Sequence, residues 1–235
     1  MSNRFEGKIA VVTGAASGIG EATVERLRRE GAEVHGIDRA GGAEASGVDV
    51  GDESQVEAFF AKLERVDILV NSAGVAVRKP VAEQDAEGWD EVMRVNVRGT
   101  FLCSKHAIPR MGRGGAMVHL ASVVGVTGVR NRAAYSTTKG AIVALTRNMA
   151  LDYAPKGIRV NCVCPGFTRT NLTKGLLSNP EAAAKLLALH PLGRLGEAED
   201  IASAIAFLVS GDASWITGQA IAVDGGFTAG HAVDV

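Results

Sequence analysis

The chain has little of several residue types that mark specialised proteins. Only 3 of its 235 residues are cysteine, and aromatic residues make up 5% of the sequence. The cysteine number is odd, and Cys162 and Cys164 would point the same way from one strand, where a disulfide is geometrically awkward. The formal net charge is -1, so there is no excess positive charge to hold nucleic-acid phosphates or anionic lipid. We therefore expect a reducing compartment and neither a nucleic-acid nor a membrane partner.

Long apolar runs and clustered metal ligands are also scarce. The longest nearly apolar stretch, residues 201–209, is far shorter than the roughly 20 residues that cross a bilayer. The first residues lead through Arg4 and Glu6 into an apolar strand, without the apolar run and cleavage site of a signal peptide. None of the 5 histidines has the spacing of a metal ligand. These observations favour a cytoplasmic protein without a metal site.

The hydrophobic content of 46% is enough, over 235 residues, to fill one large core. Short apolar runs alternate with longer helical patterns, which is typical of buried parallel strands joined by helices. The predicted strands are residues 9–13, 33–38, 48–50, 67–71, 116–122, 159–164 and 220–224. The predicted helices are residues 19–30, 52–64, 85–110, 133–154 and 197–208. We predict an α/β protein: a single-domain doubly wound Rossmann fold over residues 1–235, with a parallel sheet of about seven strands and helices on both faces.

The connection between the second and third strands is short. Only residues 39–47 lie there, fewer than the dozen or so that a parallel crossover usually needs. We therefore expect a loop where a helix would normally lie.

A glycine-rich turn, TGAASGIG at residues 13–20, joins the first strand to the first helix. The chain has 29 glycines, so the turn alone is weak evidence. Its position before an amphipathic helix is more specific, because backbone N–H groups and the helix dipole then converge on a pyrophosphate. The candidate cofactor-binding residues of the turn are Gly14, Ser17, Gly18, Ile19 and Gly20.

Asp38 follows the second strand, where a carboxylate can accept hydrogen bonds from both ribose hydroxyls of a nucleotide. The same carboxylate would repel the extra phosphate of NADP, so the sequence favours NAD as the cofactor. Arg39 leaves an alternative open, because it could stack on adenine or bind a phosphate. Further candidates follow the third and fourth strands, although ordinary turn chemistry would also explain them. They are Asp49, Val50, Asn71, Ala73 and Gly74.

Tyr135 and Lys139 stand four residues apart on a predicted helix, so both project from one face. This spacing also arises by accident. Ser122 ends the strand before that helix, and Asn96 lies in mid-helix, where an amide contributes little to helix stability. These four side chains are the candidate catalytic residues.

The chain resembles the single-domain members of the short-chain dehydrogenase/reductase family over essentially its whole length. The resemblance rests on motifs in the family's order and spacing: TGAASGIG, NSAG at residues 71–74, Asn96, Ser122, YSTTK at residues 135–139 and the Pro165-Gly166 turn. Ser72 departs from the family's usual NNAG loop. The resemblance implies an NAD-dependent oxidoreductase that transfers a hydride between a secondary alcohol and the nicotinamide, and a homotetramer built through residues 85–110, 133–154 and 217–227.

The resemblance also implies a role for each catalytic candidate. Tyr135 would exchange the proton, and Lys139 would lower the pKa of this phenol from its ordinary value near 10 while holding the nicotinamide ribose. Ser122 would bind the substrate oxygen, and Asn96 would anchor a water that links Lys139 to solvent. After the turn of Pro165 and Gly166, which are also candidates for binding the cofactor, the Thr168 backbone and the Thr170 hydroxyl would fix the nicotinamide carboxamide.

Arg132 is a candidate for binding the substrate, a small molecule. It lies three residues before Tyr135, as in the cytosolic 3-hydroxybutyrate and 2-keto-3-deoxy sugar-acid dehydrogenases that the chain resembles, and it could clamp a carboxylate. The alternative is an arginine that caps the helix or forms a salt bridge. His190, in a predicted substrate lid over residues 168–192, is either a polar contact or structural. Other substrates remain open, namely cyclic alcohols, diols or a 3-oxoacyl group reduced by NAD(P)H, as does a nucleotide sensor without turnover.

Overall fold

The computed structural model describes residues 3–42 and 45–230, which contain one parallel seven-stranded sheet. Its strand order is β3-β2-β1-β4-β5-β6-β7, and each neighbouring pair is parallel. The strands are β1 Ile9–Thr13, β2 Glu33–Asp38, β3 Ser46–Gly47, β4 Ile68–Asn71, β5 Ala116–Leu120, β6 Arg159–Pro165 and β7 Ala220–Val223. The predicted doubly wound fold is confirmed.

The helices alternate with the strands and cover both faces of the sheet. They are α1 Gly18–Arg29, α2 Glu53–Phe60, α3 Ala86–Met93, α4 Gly99–Ala107, α5 Ala133–Tyr153, α6 Asn171–Leu177, α7 Pro180–Ala188 and α8 Ala198–Val209. Several begin at local caps: the Asp52 carboxylate accepts from the backbone N–H groups of Ser54 and Gln55, and the Asp85 carboxylate accepts from Gly88. The helix predicted at residues 85–110 is interrupted by a π-helical turn, Arg94–Arg98.

The third strand was predicted at the wrong residues. It is Ser46–Gly47 rather than residues 48–50, and it pairs with Ile37 and Asp38. The backbone N–H of Val48 makes one last bond to the Asp38 carbonyl, at 3.0 Å. Beyond it the chain leaves the sheet, and the side chains of Val48 and Val50 are buried in the core. Residues 39–42 and 45, the part of this connection that the structure describes, contain no helix, as expected.

The core lies on both faces of the sheet, and successive strand residues contribute to opposite faces. Ala10 and Val12 of β1 pack with Leu27 of α1 and Ile205 of α8 on one face. Val11 packs on the other face, where α2, α4 and α5 cover the sheet. Because both faces are covered, the central strands β1 and β4 are apolar almost throughout rather than alternating.

The strand order places a cleft at one edge of the sheet. The chain winds outward from β1 to β2 and β3 on one side, and outward through β4 to β7 on the other. The loops that follow β1 and β4 therefore diverge, and open α/β sheets bind ligands at this switch point, beyond the carboxyl ends of the strands.

Candidate active site

The glycine-rich turn opens the amino end of α1 toward this cleft. Ser17 is the residue that precedes the helix, and Gly14 and Gly18 have φ values of +67° and +58°, which favour glycine. A Cβ at Gly14 would lie 2.8 Å from the Ala73 Cα, and a Cβ at Gly20 would collide with the Gly14 carbonyl. The glycines thus let two strand-end loops approach each other and leave the first N–H groups of α1 accessible to an anion.

The cleft brings most of the predicted cofactor residues together. Of the predicted set, those that line it are Gly14, Ser17, Gly18, Ile19, Asp38, Asp49, Val50, Ala73, Gly74 and Thr170. The donor set fits a dinucleotide, since backbone N–H groups at a helix start suit a pyrophosphate and a carboxylate at the end of β2 suits a ribose.

Asp38 lies at the end of the cleft that would hold this ribose. Its carboxylate accepts backbone N–H bonds from Ala40 at 3.0 Å and from Ala16 at 3.3 Å. Arg39 lines the same cleft, but its guanidinium lies 3.5 Å from the Glu91 carboxylate. Backbone hydrogen bonds therefore hold the Asp38 carboxylate at the cleft. The neighbouring Arg39 forms an ion pair with Glu91 at the surface.

Two of the strand-end candidates direct their side chains away from the cleft or into ion pairs. The Asp49 carboxylate accepts a hydrogen bond of 3.0 Å from Arg94, which lowers the pKa of this acid. The Asn71 amide is buried and lies 3.2 Å from the Ser104 hydroxyl and 3.1 Å from the His119 ring. Asn71 itself therefore does not line the cleft, although Ser72 and Ala73 of the same loop do.

Four other candidates do not line the cleft. Gly20 is buried beneath the glycine-rich turn, and the buried Thr168 hydroxyl donates to the Gly166 carbonyl at 3.2 Å. Pro165 ends β6, and Gly166 instead lines a second cavity that adjoins the cleft.

This second cavity, which we call the catalytic cavity, has a volume of about 60 Å³. It contains three of the predicted polar side chains, Ser122, Arg132 and Tyr135. Its apolar wall is formed by Val123, Val124, Phe167 and Leu172. Leu172 also lines the nucleotide cleft, so the two spaces share one wall.

Lys139 lies beside both spaces, one helical turn after Tyr135 in α5. Its Nζ is 5.4 Å from the centre of the Tyr135 ring and donates a bond of 2.5 Å to the Leu120 carbonyl. A Cβ at Gly74 would lie 3.7 Å from this Nζ. The NSAG loop therefore passes directly over the lysine.

The Asn96 side chain makes hydrogen bonds that link the loop following β4 with helix α5. Its Oδ1 accepts from the Val75 N–H at 2.8 Å, and its Nδ2 donates to the Val75 carbonyl at 2.9 Å and to the Thr138 hydroxyl at 3.0 Å. Thr138 in turn donates to the Tyr135 carbonyl at 2.8 Å. The π-helical turn around Asn96 thus positions both the loop over Lys139 and the helix that carries Tyr135. No sequence pattern singles out Thr138, which is an ordinary helical residue.

Burial dominates the electrostatics of the catalytic pair in the protein alone. It raises the pKa of Tyr135 to about 12, although the charge of Arg132 and a hydrogen bond with Ser122 work in the opposite direction. Burial also lowers the pKa of Lys139 to about 8. In the protein alone, the pKa of Tyr135 is therefore not lowered as the resemblance implies. The cation that opposes the effect of burial there is Arg132.

His190 does not reach the catalytic cavity. Its Nδ1 lies 2.7 Å from the Leu186 carbonyl, and its ring packs 6.0 Å from Phe167 and 5.6 Å from Phe227. It lines a separate cavity behind Phe167. The histidine predicted as a substrate contact therefore supports the wall of the catalytic cavity from behind.

In the ranges 3–42 and 45–230, no group of three or more histidine, cysteine or acidic side chains is arranged to hold a metal ion. Within the same ranges, none of the helices combines the length and apolar character that a membrane crossing requires.

Known proteins resemble this chain over nearly all of its length. Residues 14–228 match a family model described as enoyl-(acyl carrier protein) reductase. The chain is 43% identical to 2-(S)-hydroxypropyl-CoM dehydrogenase 3 of Xanthobacter autotrophicus, over 97% of this chain and 100% of that protein. It is 40% identical to cis-4-hydroxycyclohexanecarboxylate dehydrogenase of Sinomonas cyclohexanicum, with the same coverage. A solved structure of a putative 2-deoxy-d-gluconate 3-dehydrogenase from Agrobacterium tumefaciens with bound NADP superposes with a TM-score of 0.89 at 33% identity, covering 95% of this chain and 97% of that one.

Proposed function

Because the chain belongs to the short-chain dehydrogenase/reductase family, whose named relatives act on CH–OH groups, we propose that it is an NAD-dependent dehydrogenase of secondary alcohols. One observation carries the proposal: Ser122 and Tyr135 line a cavity that shares the wall of Leu172 with the cleft of the glycine-rich turn. When bound there, the nicotinamide supplies the hydride acceptor or donor.

NAD is the cofactor that Asp38 favours. A carboxylate held by two backbone N–H bonds suits ribose hydroxyls and repels an added phosphate. Arg39 is exposed and forms only a surface ion pair of 3.5 Å with Glu91, which is too weak to withdraw this cation from the cleft, so the preference for NAD rests on Asp38. The bound NADP of the Agrobacterium relative makes the comparison of the two cofactors an essential test.

Proton exchange would take place at the Tyr135 hydroxyl. Moving the pKa of this buried phenol from about 12 to the range of 7 to 8 requires roughly 5 to 7 kcal/mol of stabilisation of its anion. Three positive charges would contribute: Lys139, Arg132 and the oxidised nicotinamide. Ser122 would donate a hydrogen bond to the substrate oxygen, and Asn96 would keep Lys139 linked to solvent through a water.

The substrate would enter between the catalytic cavity and the predicted lid of residues 168–192. The apolar side chains of Val123, Phe167 and Leu172 line the catalytic cavity and favour an apolar substituent beside the reacting carbon. Arg132 is the candidate for binding a polar group of the substrate, and His190 would act only by supporting Phe167.

We also propose a cytoplasmic homotetramer. Phe101 on α4 and Leu151 on α5 have exposed fractions of 49% and 78%, and Trp215 before β7 is 98% exposed. Phe101 and Leu151 lie in the segments expected to form subunit contacts, and Trp215 lies just before the third of these segments. A second copy of the chain would cover them.

Purified protein should be mixed with NAD and a panel of hydroxy acids, cyclic alcohols, diols and polyols, with NADH absorbance as the signal. At least one class should give turnover, and Tyr135→Phe should lower kcat by roughly 10²- to 10⁴-fold while NAD still binds. Thermal unfolding of both proteins provides the control for folding. Turnover only of a 3-oxoacyl thioester with NADPH would favour the ketoreductase alternative, and NAD binding without turnover would favour a sensor.

A further inference from the structure

The loop that follows β3 contacts the chain around Asn96 on both sides of that residue. The loop consists of residues 48–51, of which Asp49 and Val50 line the nucleotide cleft. Asn96 lies in the middle of the π-helical turn Arg94–Arg98. One short loop therefore forms a wall of the cleft and also supports the turn that carries a catalytic candidate.

Arg94, the first residue of the turn, makes the contact on one side. Its Nη1 donates a hydrogen bond of 3.0 Å to the Asp49 carboxylate, and its Nε and Nη2 donate to the Glu91 carboxylate at 2.6 and 3.0 Å. The same Asp49 oxygen accepts the N–H of Gly51 at 2.8 Å. A Cβ at Gly51 would collide with the guanidinium. This glycine therefore lets the guanidinium lie directly against the loop.

Gly99, the first residue of α4, makes the contact on the other side. A Cβ at this position would lie 2.7 Å from Cγ2 of Val50, so the helix approaches the loop closely because the residue is glycine. The contact at Gly99 is apolar, whereas the contact at Arg94 is ionic. Asn96 lies between the two contacts, so the loss of either one removes a constraint on its position.

The bonds of Arg94 fix a geometry more than they stabilise the fold. The side chains of Arg94, Asp49 and Glu91 have exposed fractions of 32%, 23% and 42%, and partly exposed ion pairs add little stability. A guanidinium held by carboxylates from two elements nevertheless has one orientation. Hydrogen bonds from Glu91 and Asp49 raise the pKa of Arg94, and Arg94 lowers the pKa of both acids. All three groups therefore stay charged near neutral pH.

The position of Asn96 matters because its side chain holds two other parts of the site. It bonds to the N–H and the carbonyl of Val75, in the loop that passes over Lys139, and to the hydroxyl of Thr138 in α5. Hydrogen bonds weaken steeply when their geometry is disturbed. A displacement of about 1 Å at a catalytic site can lower the rate by about 10²-fold.

We propose that Arg94 is a positioning residue: by tying the π-helical turn to the loop at Asp49 and Gly51, it holds Asn96 in place against Val75 and Thr138. The proposal rests on the dehydrogenase function proposed above. It assigns a role in turnover to a residue outside the predicted catalytic set.

The first test measures kcat at saturating NAD with the alcohol that the parent oxidises best. Arg94→Gln should lower kcat about tenfold or more, because the turn loses its ionic contact with the loop. Arg94→Lys should recover part of this loss, since an ammonium can bond to a carboxylate but lacks the planar fork of donors. Arg98→Gln, the matched control, changes an exposed arginine of the same turn and should change kcat less than about twofold.

A double-mutant cycle identifies the route by which Arg94 acts. In an Asn96→Ala background, Arg94→Gln should lower kcat by less than about twofold, because the group that it positions is already absent. A purely structural contribution of Arg94 would instead give the same fold loss in both backgrounds. Thermal unfolding of each variant provides the control for folding.

Hydrogen exchange provides a readout that does not need turnover. The Val75 N–H donates to Asn96 Oδ1, so it should exchange about tenfold or more faster in Arg94→Gln than in the parent or in Arg98→Gln. Equal kcat values for Arg94→Gln and Arg98→Gln, an additive cycle, or unchanged exchange at Val75 would overturn the positioning role. If the parent oxidises no alcohol at all, the proposed function fails separately, and exchange at Val75 still tests whether Arg94 positions Asn96.

Discussion

The ammonium of Lys139 lies 5.4 Å from the centre of the Tyr135 ring and is bonded to the Leu120 carbonyl rather than to the phenol oxygen. The pair therefore interacts across the ring in the protein alone. Burial favours the neutral form of both groups, raising the pKa of Tyr135 to about 12 and lowering that of Lys139 to about 8.

The titration of Tyr135 can be observed directly, because the chain has only two tyrosines. In a Tyr153→Phe background, tyrosinate absorbance should be absent below about pH 11 in the protein alone, since burial opposes ionisation. Saturating NAD should shift the onset downward by about two pH units or more, because its oxidised ring adds a positive charge. The NADH complex, which lacks that charge, is the matched comparison. Ionisation near pH 10 in the protein alone would contradict the structure.

Asp38 should decide between NAD and NADP. Asp38→Asn removes the charge and keeps one oxygen that can accept a backbone bond from Ala40 or from Ala16, which in the parent end on different carboxylate oxygens. The ratio of kcat/KM values for NAD over NADP should fall at least about tenfold, equivalent to about 1.4 kcal/mol, because repulsion of the extra phosphate is lost. Glu57→Gln, an exposed change on α2, controls for net charge. An unchanged ratio in Asp38→Asn would show that another group selects the cofactor.

The sequence could predict the features that depend on local rules. The glycine-rich turn, the alternation of strands and helices and the face shared by Tyr135 and Lys139 follow from chain geometry within a few residues. They identified the sheet and most of the cleft, because parallel strands deliver their ends to one edge.

The remaining features depend on residues distant in sequence. The Asn71 side chain turns inward because Ser104 and His119, from two other elements, offer it buried partners. His190 packs behind Phe167 because the chain after α7 is held against Phe227. The Arg78 guanidinium lies 3.5 Å from the carbonyl of Leu172, a residue of the predicted lid that is distant in sequence. No periodicity or motif spacing encodes such contacts.

His119 should make the protein sensitive to acid. Burial lowers its pKa from 6.5 to about 4, so between these values the unfolded chain binds a proton that the folded chain does not. Stability is therefore complete above about pH 6.5 and falls as the pH decreases toward 4, by at most about 3 kcal/mol. Urea unfolding at several pH values should show this loss in the parent.

The contribution of this residue can be isolated with His119→Asn, which keeps a polar partner for Asn71 but cannot titrate. The variant should be less stable at pH 7 and should lose less stability on acidification than the parent. His35→Asn, which changes a partly exposed histidine on β2, should follow the parent's dependence on pH. Parallel curves for His119→Asn and the parent would assign the acid sensitivity to other groups.

Leu151 should hold subunits together through α5. Its side chain is 78% exposed in the single chain, and Phe101 on α4 is 49% exposed. Burying one leucine contributes about 1.5–3 kcal/mol, and a two-fold interface contains each residue twice, so a charge at this position opposes association twice. Leu151→Glu should therefore reduce the mass measured by light scattering from four chains to two or one at micromolar concentration. Val81→Glu changes a residue of similar exposure, 76%, that lies outside the segments expected to form contacts, and it should leave the mass unchanged. A monomeric parent, or equal effects of the two variants, would show that α5 is not an interface between copies of this chain.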